Sequence, residues 1–176
     1  VDDLGDSWRI LDCSMKFFPT EALTHAPISA TLDLMIDNDL APEEVETITI
    51  YSLARAADIL ADPSKYDPRS KETADHSLPY VIAAAIVDRQ VTPAQFEQDK
   101  IMDPRIREHL HKVEVIADPE IEKVFPELQR VGVTIDTNDN VLGLNACLIS
   151  RISLENFADQ RTFAIFHAII LGQLCC

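Results

Sequence analysis

Glycine is scarce: the chain has four in 176 residues. No Walker-type or dinucleotide-type glycine loop can be built from them, and no Gly-x-Ser-x-Gly elbow is present. Basic residues are also few, 15 Lys and Arg against 30 Asp and Glu, giving a formal net charge of −15 and a pI of about 4.5. Nucleic acid is therefore not expected as a general partner, because no basic field exists to displace phosphate counterions. An anionic substrate would need a local cluster of cations to override the global field. Cys13, Cys147, Cys175 and Cys176 show neither metal-ligand nor disulfide spacing, which points to a reducing compartment. No apolar stretch reaches membrane-spanning length, so no membrane partner is expected. The opening Val1-Asp2-Asp3-Leu4 lacks a basic n-region, an apolar h-region and an initiator Met. The expectation is a fragment or a processed product.

What is present is an ordinary globular composition, 47% hydrophobic and 26% charged, and enough chain for one domain with a real core. The densest polar cluster is Lys71-Glu72-Thr73-Ala74-Asp75-His76-Ser77-Leu78-Pro79-Tyr80. The apolar run 81–87 follows it directly. Ser77 is the natural N-cap of a buried helix over 77–88, with Pro79 tolerated in its first turn. Such a helix anchors in a core and presents its polar N-terminal end to a cleft. The plain alternative is a capped helix with solvated charges around it. Glu72 and Asp75 fit helix-terminus partners better than catalysts, since carboxylates there complement the helix dipole.

Elsewhere the pattern alternates irregularly. A short strand has room at 8–13, before Pro19. Ile28, Leu32, Met35 and Ile36 recur at helical spacing over 22–38. Residues 45–51 alternate apolar and polar, as a strand with one wet face does. Short helices suit 53–61, the segment opening at Thr92-Pro93, 104–112 and the segment opening at Asp118-Pro119. Strands suit 113–116 and 131–137, with a turn at 138–140. No repeat of fixed period is found. The expected class is α+β, a small sheet packed by helices on one side. From Val141 charges thin out, and 164–171 is apolar nearly all round, so an apolar, helical C-terminal tail is expected.

Two clusters could carry chemistry. One is Lys16 with Glu21 and His25, on either side of Pro19. The other is Arg69, Lys71, Glu72, Asp75, His76 and Tyr80. Lys16, Arg69 and Lys71 could supply the cations an anionic substrate needs, and His76 or Tyr80 a proton donor or acceptor. His109 and His111 diverge by about 200° on a helix and lack a third ligand, so no metal site is expected there. His167 fits a core or interface position.

Together, Lys16-Phe17-Phe18-Pro19 followed by His25, and the Lys71–Tyr80 motif at this separation, resemble the MmgE/PrpD family, which includes 2-methylcitrate dehydratases and cis-aconitate decarboxylases. The resemblance covers roughly residues 4–137. It implies that 1–137 is the family's smaller α+β domain, a lid over an all-helical domain that precedes it in the family and is missing here. It implies metal-independent dehydration of a tricarboxylate such as 2-methylcitrate, in propionate metabolism and the methylcitrate cycle, with no cofactor. Lys16 and Tyr80 resemble active-site residues of the family, and His76 matches the histidine of its motif. His25, Glu21, Arg69 and Lys71 would line the substrate. Decarboxylase members carry a His where this chain has Glu21, which tilts the expectation toward dehydration. Decarboxylation or epimerisation on the same scaffold is the alternative, and a non-catalytic lid or dimerisation module is another. A homodimer is expected, in the cytoplasm or the mitochondrial matrix. The family would continue past Thr137 with another strand and a Tyr-Pro-Lys-Gly-like segment. Residues 140–176 show nothing of the kind. The tail 138–176 is therefore expected to be either a gene-model artefact or a genuine, divergent helix. A chain with half a site is expected not to turn over substrate alone.

Overall fold

Nine consecutive residues, Leu78 to Ile86, are buried in the computed structural model, and they form the centre around which the other elements pack. The structure describes Trp8, residues 15–126 and residues 128–149. The strand expected at 8–13 and the apolar segment 164–171 lie outside the described residues, Trp8 apart.

The central helix is α4 (Leu78–Asp88). Ser77 starts it as expected: its hydroxyl accepts from Tyr80 N at 3.1 Å and donates to Lys65 O at 2.6 Å. A helix apolar all round is a buried helix, because no face of it can be solvated cheaply. It ends at Arg89, which takes a left-handed conformation with φ 55°. The Arg89 guanidinium turns back to cap the end of α1 (His25–Asp37), donating to Met35 O at 2.7 Å and to Leu40 O.

The sheet has four strands, β1 (Val45–Ser52), β2 (Val113–Ala117), β3 (Leu128–Thr137) and β4 (Val141–Ile149). Their order is β2-β1-β3-β4. β2 is parallel to β1, and β3 is antiparallel to both β1 and β4. The crossover from β1 to β2 carries α2 (Ala54–Leu60), α3 (Lys71–Ala74), α4, α5 (Gln98–Ile101) and α6 (Pro104–His109). After β2, α7 (Pro119–Glu122) leads towards β3. Register puts Ile48, Ile50, Val133, Ile135, Leu142 and Leu144 on one face. That face is covered: α1 lies against β3 and β4, and α4 against α1 and β2. Thr47, Thr134, Asp136 and Gly143 fall on the other face and are partly or fully exposed. The α+β class with one-sided helical packing is thus present.

One expectation is overturned. Residues 141–149 are a strand, not the start of a helical tail, and the sheet crosses the boundary drawn at Thr137. The strand's alternation explains it: Leu142, Leu144 and Ala146 are half-buried against the core, while Val141, Gly143 and Asn145 face outward. The turn at 138–140 closes the hairpin, with Asn140 O accepting from Thr137 N at 2.9 Å.

Candidate active site

The segment before α1 is held by its own side chains. Phe18 is buried and meets the His25 ring edge-on, centroids 5.5 Å apart. Thr24 is fully buried; its hydroxyl donates to Glu21 O at 2.8 Å and lies 2.7 Å from the Thr20 hydroxyl. Glu21 caps the short 3-10 turn Ala22–Thr24, its carboxylate accepting from Leu23 N at 2.7 Å. The Lys16 ammonium reaches across this turn and donates to Thr20 O at 2.8 Å. An ammonium has three donors, and among the described residues Thr20 O takes one of them.

The second motif comes alongside through one backbone contact. Glu21 N donates to Asp75 O at 3.1 Å, which ties the Lys16–His25 segment to the end of α3. There the Asp75 carboxylate faces two cations or potential cations. Its Oδ1 is 2.5 Å from His76 Nδ1, and its Oδ2 is 3.9 Å from the Lys71 ammonium. The segment carrying Lys16, Glu21 and His25 and the segment carrying Lys71, Asp75 and His76 are thus joined at their backbones.

His25 is the unusual member. It is only 5% exposed, and its Nε2 has no hydrogen-bond partner among the described residues. Burial lowers its pKa below the ordinary 6.5, and the Lys16 ammonium lowers it further, against the raising influence of the Thr20 and Phe18 carbonyls and the Glu21 carboxylate. A neutral imidazole is the result, its Nε2 unpartnered among the described residues. An unpaired buried polar atom costs about 1–3 kcal/mol, which makes His25 the polar side chain of this segment whose position packing alone explains least.

Two further expected site residues have their polar groups engaged elsewhere. Tyr80 is fully buried, and its hydroxyl donates to Gln95 O. Burial, then Asp88 and Asp103, push its phenol well above the ordinary range, and the charges near it are Asp88, Asp99, Asp103 and Arg107. Within the described residues Tyr80 is an interior group held by the Gln95 carbonyl. Arg69 is engaged with Asp67, with Nε at 3.0 Å and Nη2 at 2.8 Å. Arg107 grips the same carboxylate, and the two guanidiniums hold the Asp67 pKa below its ordinary value.

The two remaining histidines of the described residues diverge as expected. His109 is buried between Arg105 O at 2.8 Å and Pro42 O at 2.9 Å. His111 stacks on Tyr66 at 5.9 Å. Among the described residues no group of three or more His, Cys, Asp or Glu could hold a metal ion. An apolar hollow of about 370 Å³ opens at the ends of β1 and β2, lined by Ala54, Ala117, Pro119, Glu122 and Lys123. It lies away from the polar cluster, and Ala54 N is already taken by Glu122 at 3.0 Å. The chemistry-bearing groups, not the hollow, define the candidate site.

Sequence reasoning placed Asp75 in the second cluster but read it as a helix-terminus partner rather than the partner of His76, and it missed Gln95 as the partner of Tyr80. Asp75 had a signal, a carboxylate directly before a histidine. Gln95 had none, since its backbone oxygen makes the contact.

A family model described as the MmgE/PrpD C-terminal domain matches residues 18–143. The span includes every candidate residue except Lys16, which stands two positions before it. No curated protein matches the chain.

Proposed function

Because the chain belongs to the MmgE/PrpD family, we propose that it supplies part of a lyase site that dehydrates a tricarboxylate such as 2-methylcitrate to the corresponding alkene. The observation that supports the reading is the Glu21 N to Asp75 O contact, which joins the backbones of the two segments that carry Lys16 and His76. Lys16 neutralises a substrate carboxylate and the enediolate-like charge that builds on it. His25 offers its unpaired Nε2 to a second oxygen of the substrate. His76 Nε2 takes the proton α to the carboxylate. The C–H electron pair becomes the second bond of the alkene and the C–O bond breaks. The departing hydroxide leaves as water with the proton returned by the imidazolium, so the protein ends as it began. No step in this scheme is assigned to a metal or cofactor.

Tyr80 has no contact with substrate in this scheme; it fixes the register of α4 beneath His76. The family's all-helical domain would provide the remaining walls, and the 176-residue chain alone is expected to bind without turnover. The test is kinetic. In a protein that joins this domain to the family's helical domain, Lys16→Ala should lower kcat/KM for 2-methylcitrate by at least about 100-fold, or ~2.7 kcal/mol of transition-state stabilisation. A loss within about threefold would end the proposal. Product analysis with cis-aconitate would reveal the decarboxylase alternative directly.

A further inference from the structure

Resting on that reading, we propose that Asp75 is the positioning residue for His76: it holds the proton on Nδ1 and leaves the Nε2 lone pair facing outward. The geometry is that of a carboxylate behind an imidazole. Asp75 Oδ1 lies 2.5 Å from Nδ1. The Asp75 side chain is 16% exposed and the His76 side chain 58%, so the carboxylate sits on the protein side of the ring. The hydrogen bond made by one ring nitrogen decides which tautomer is present, because the neutral ring carries a single N–H. With Nδ1–H donated to Asp75, Nε2 is the acceptor.

Asp75 is itself held from two directions. Its backbone N–H donates to Lys71 O at 2.9 Å and its carbonyl accepts from Glu21 N at 3.1 Å. The Lys71 ammonium, 3.9 Å from Oδ2, balances its charge from the side away from His76. These contacts fix the carboxylate relative to the Lys16–His25 segment, so the orientation of the His76 ring is set by the same element that brings the two motifs together. During the proposed elimination Nε2 would gain and lose a proton while Nδ1–H stays on Asp75. The imidazolium formed in between would have a carboxylate to face. Sequence reading assigned Asp75 to the helix terminus, and it does stand two positions before the Ser77 N-cap of α4; the His76 and Lys71 contacts give its carboxylate partners beyond the helix dipole.

Long-range 1H–15N correlation spectra of the uniformly 15N-labelled chain at pH 8 test the proposal without any activity. His76 is assigned by its disappearance in His76→Gln. Wild type should show the Nδ1–H tautomer in excess, Asp75→Ala should shift the population towards Nε2–H, and Asp75→Glu should restore it at least in part. In the two-domain protein, Asp75→Ala should lower kcat by about 10²-fold, the range expected of one proton-transfer group, with KM changed less than about threefold and the pH profile displaced. Far-UV circular dichroism checks that the variants fold. A wild-type ring found mainly as the Nε2–H tautomer, or one indifferent to Asp75→Ala, overturns the positioning role. If instead the tautomer behaves as expected but His76→Gln and Lys16→Ala leave turnover intact, the dehydratase reading fails and the dyad stands.

Discussion

Replacing Tyr80 by Phe separates an interior anchor from a group that touches substrate. Tyr80 is 0% exposed and its hydroxyl donates to Gln95 O. Its ring packs against Phe96, centroids 6.0 Å apart, and that contact survives the substitution. Only the hydroxyl is lost, and what it leaves behind is a buried carbonyl without a donor. Orphaning such a group costs about 1–3 kcal/mol, more than the net ~1 kcal/mol of an average hydrogen bond. For a chain of this size each kcal/mol moves the melting temperature by roughly 2–4 °C, so Tyr80→Phe should melt about 2–12 °C lower. Urea unfolding followed by circular dichroism should show a reduced midpoint at unchanged slope. The phenol's raised pKa gives an independent check. The unfolded chain ionises near 10 and the folded one later, so above pH 10 the native state binds more protons and stability falls as pH rises. Tyr80→Phe should lack that contribution. Stability unchanged within about 0.5 kcal/mol, together with a large loss of turnover in the two-domain protein, would refute the anchor and return Tyr80 to the site.

Two further perturbations test the charge arrangement. Asp33, half-buried on α1 with Asp37 one turn away, has its carboxyl pushed up to about 6, first by burial and then by Asp37. The native state holds the proton that the unfolded chain has lost above 3.8, so stability should decline as pH rises from about 4 through 6. Asp33→Asn should flatten that decline and raise stability at pH 7 by about 1–2 kcal/mol, less than the ~1.4 kcal/mol per pH unit would give without solvent screening; an unchanged unfolding midpoint at pH 7 would count against it. His25 works in the opposite direction. Its pKa is lowered, the unfolded chain takes up a proton below about 6.5 while the folded one does not, and stability should fall as pH drops below that value. His25→Gln should make the acid limb shallower in pH-dependent urea titrations, and a slope equal to wild type would show that His25 is solvated.

The elements that were legible in the sequence are those where several local signals agree. Ser77, Pro79 and an uninterrupted apolar run specify α4 three times over, and β1 shows its alternation without a break. β4 carried the same period-2 signal in Leu142, Leu144 and Ala146, yet it was read together with the apolar segment after it, and the two have different periods. The site was legible only as residue types. That the segments carrying Lys16 and His76 are joined depends on a backbone bond between Glu21 and Asp75, and backbone bonds leave no trace in composition. Tyr80 shows the limit most clearly. In a helix buried on every side, hydrophobic periodicity no longer says which way a given side chain points, so the phenol could not be aimed from sequence.

How a molecule with a net charge of −15 would accept a polyanion has a local answer. Lys65, Arg69, Lys71, Lys100, Arg105, Arg107 and Lys123 each stand within 4.0 Å of a carboxylate. Arg89 and Lys112 are engaged with backbone carbonyls. Lys16 makes no ion pair among the described residues, and its one contact there is the neutral Thr20 carbonyl. A cation already paired with an aspartate offers an incoming carboxylate little, because the new contact must displace the old one. Beyond about 8 Å at physiological ionic strength the remaining surface charge is largely screened. On the proposed reading, what decides acceptance is therefore the handful of groups within contact distance: an ammonium without an ion pair among the described residues, a neutral imidazole kept from competing as a charge, and the His76 nitrogen that Asp75 would leave as an acceptor. The global acidity then acts on the approach of substrate rather than on its fit.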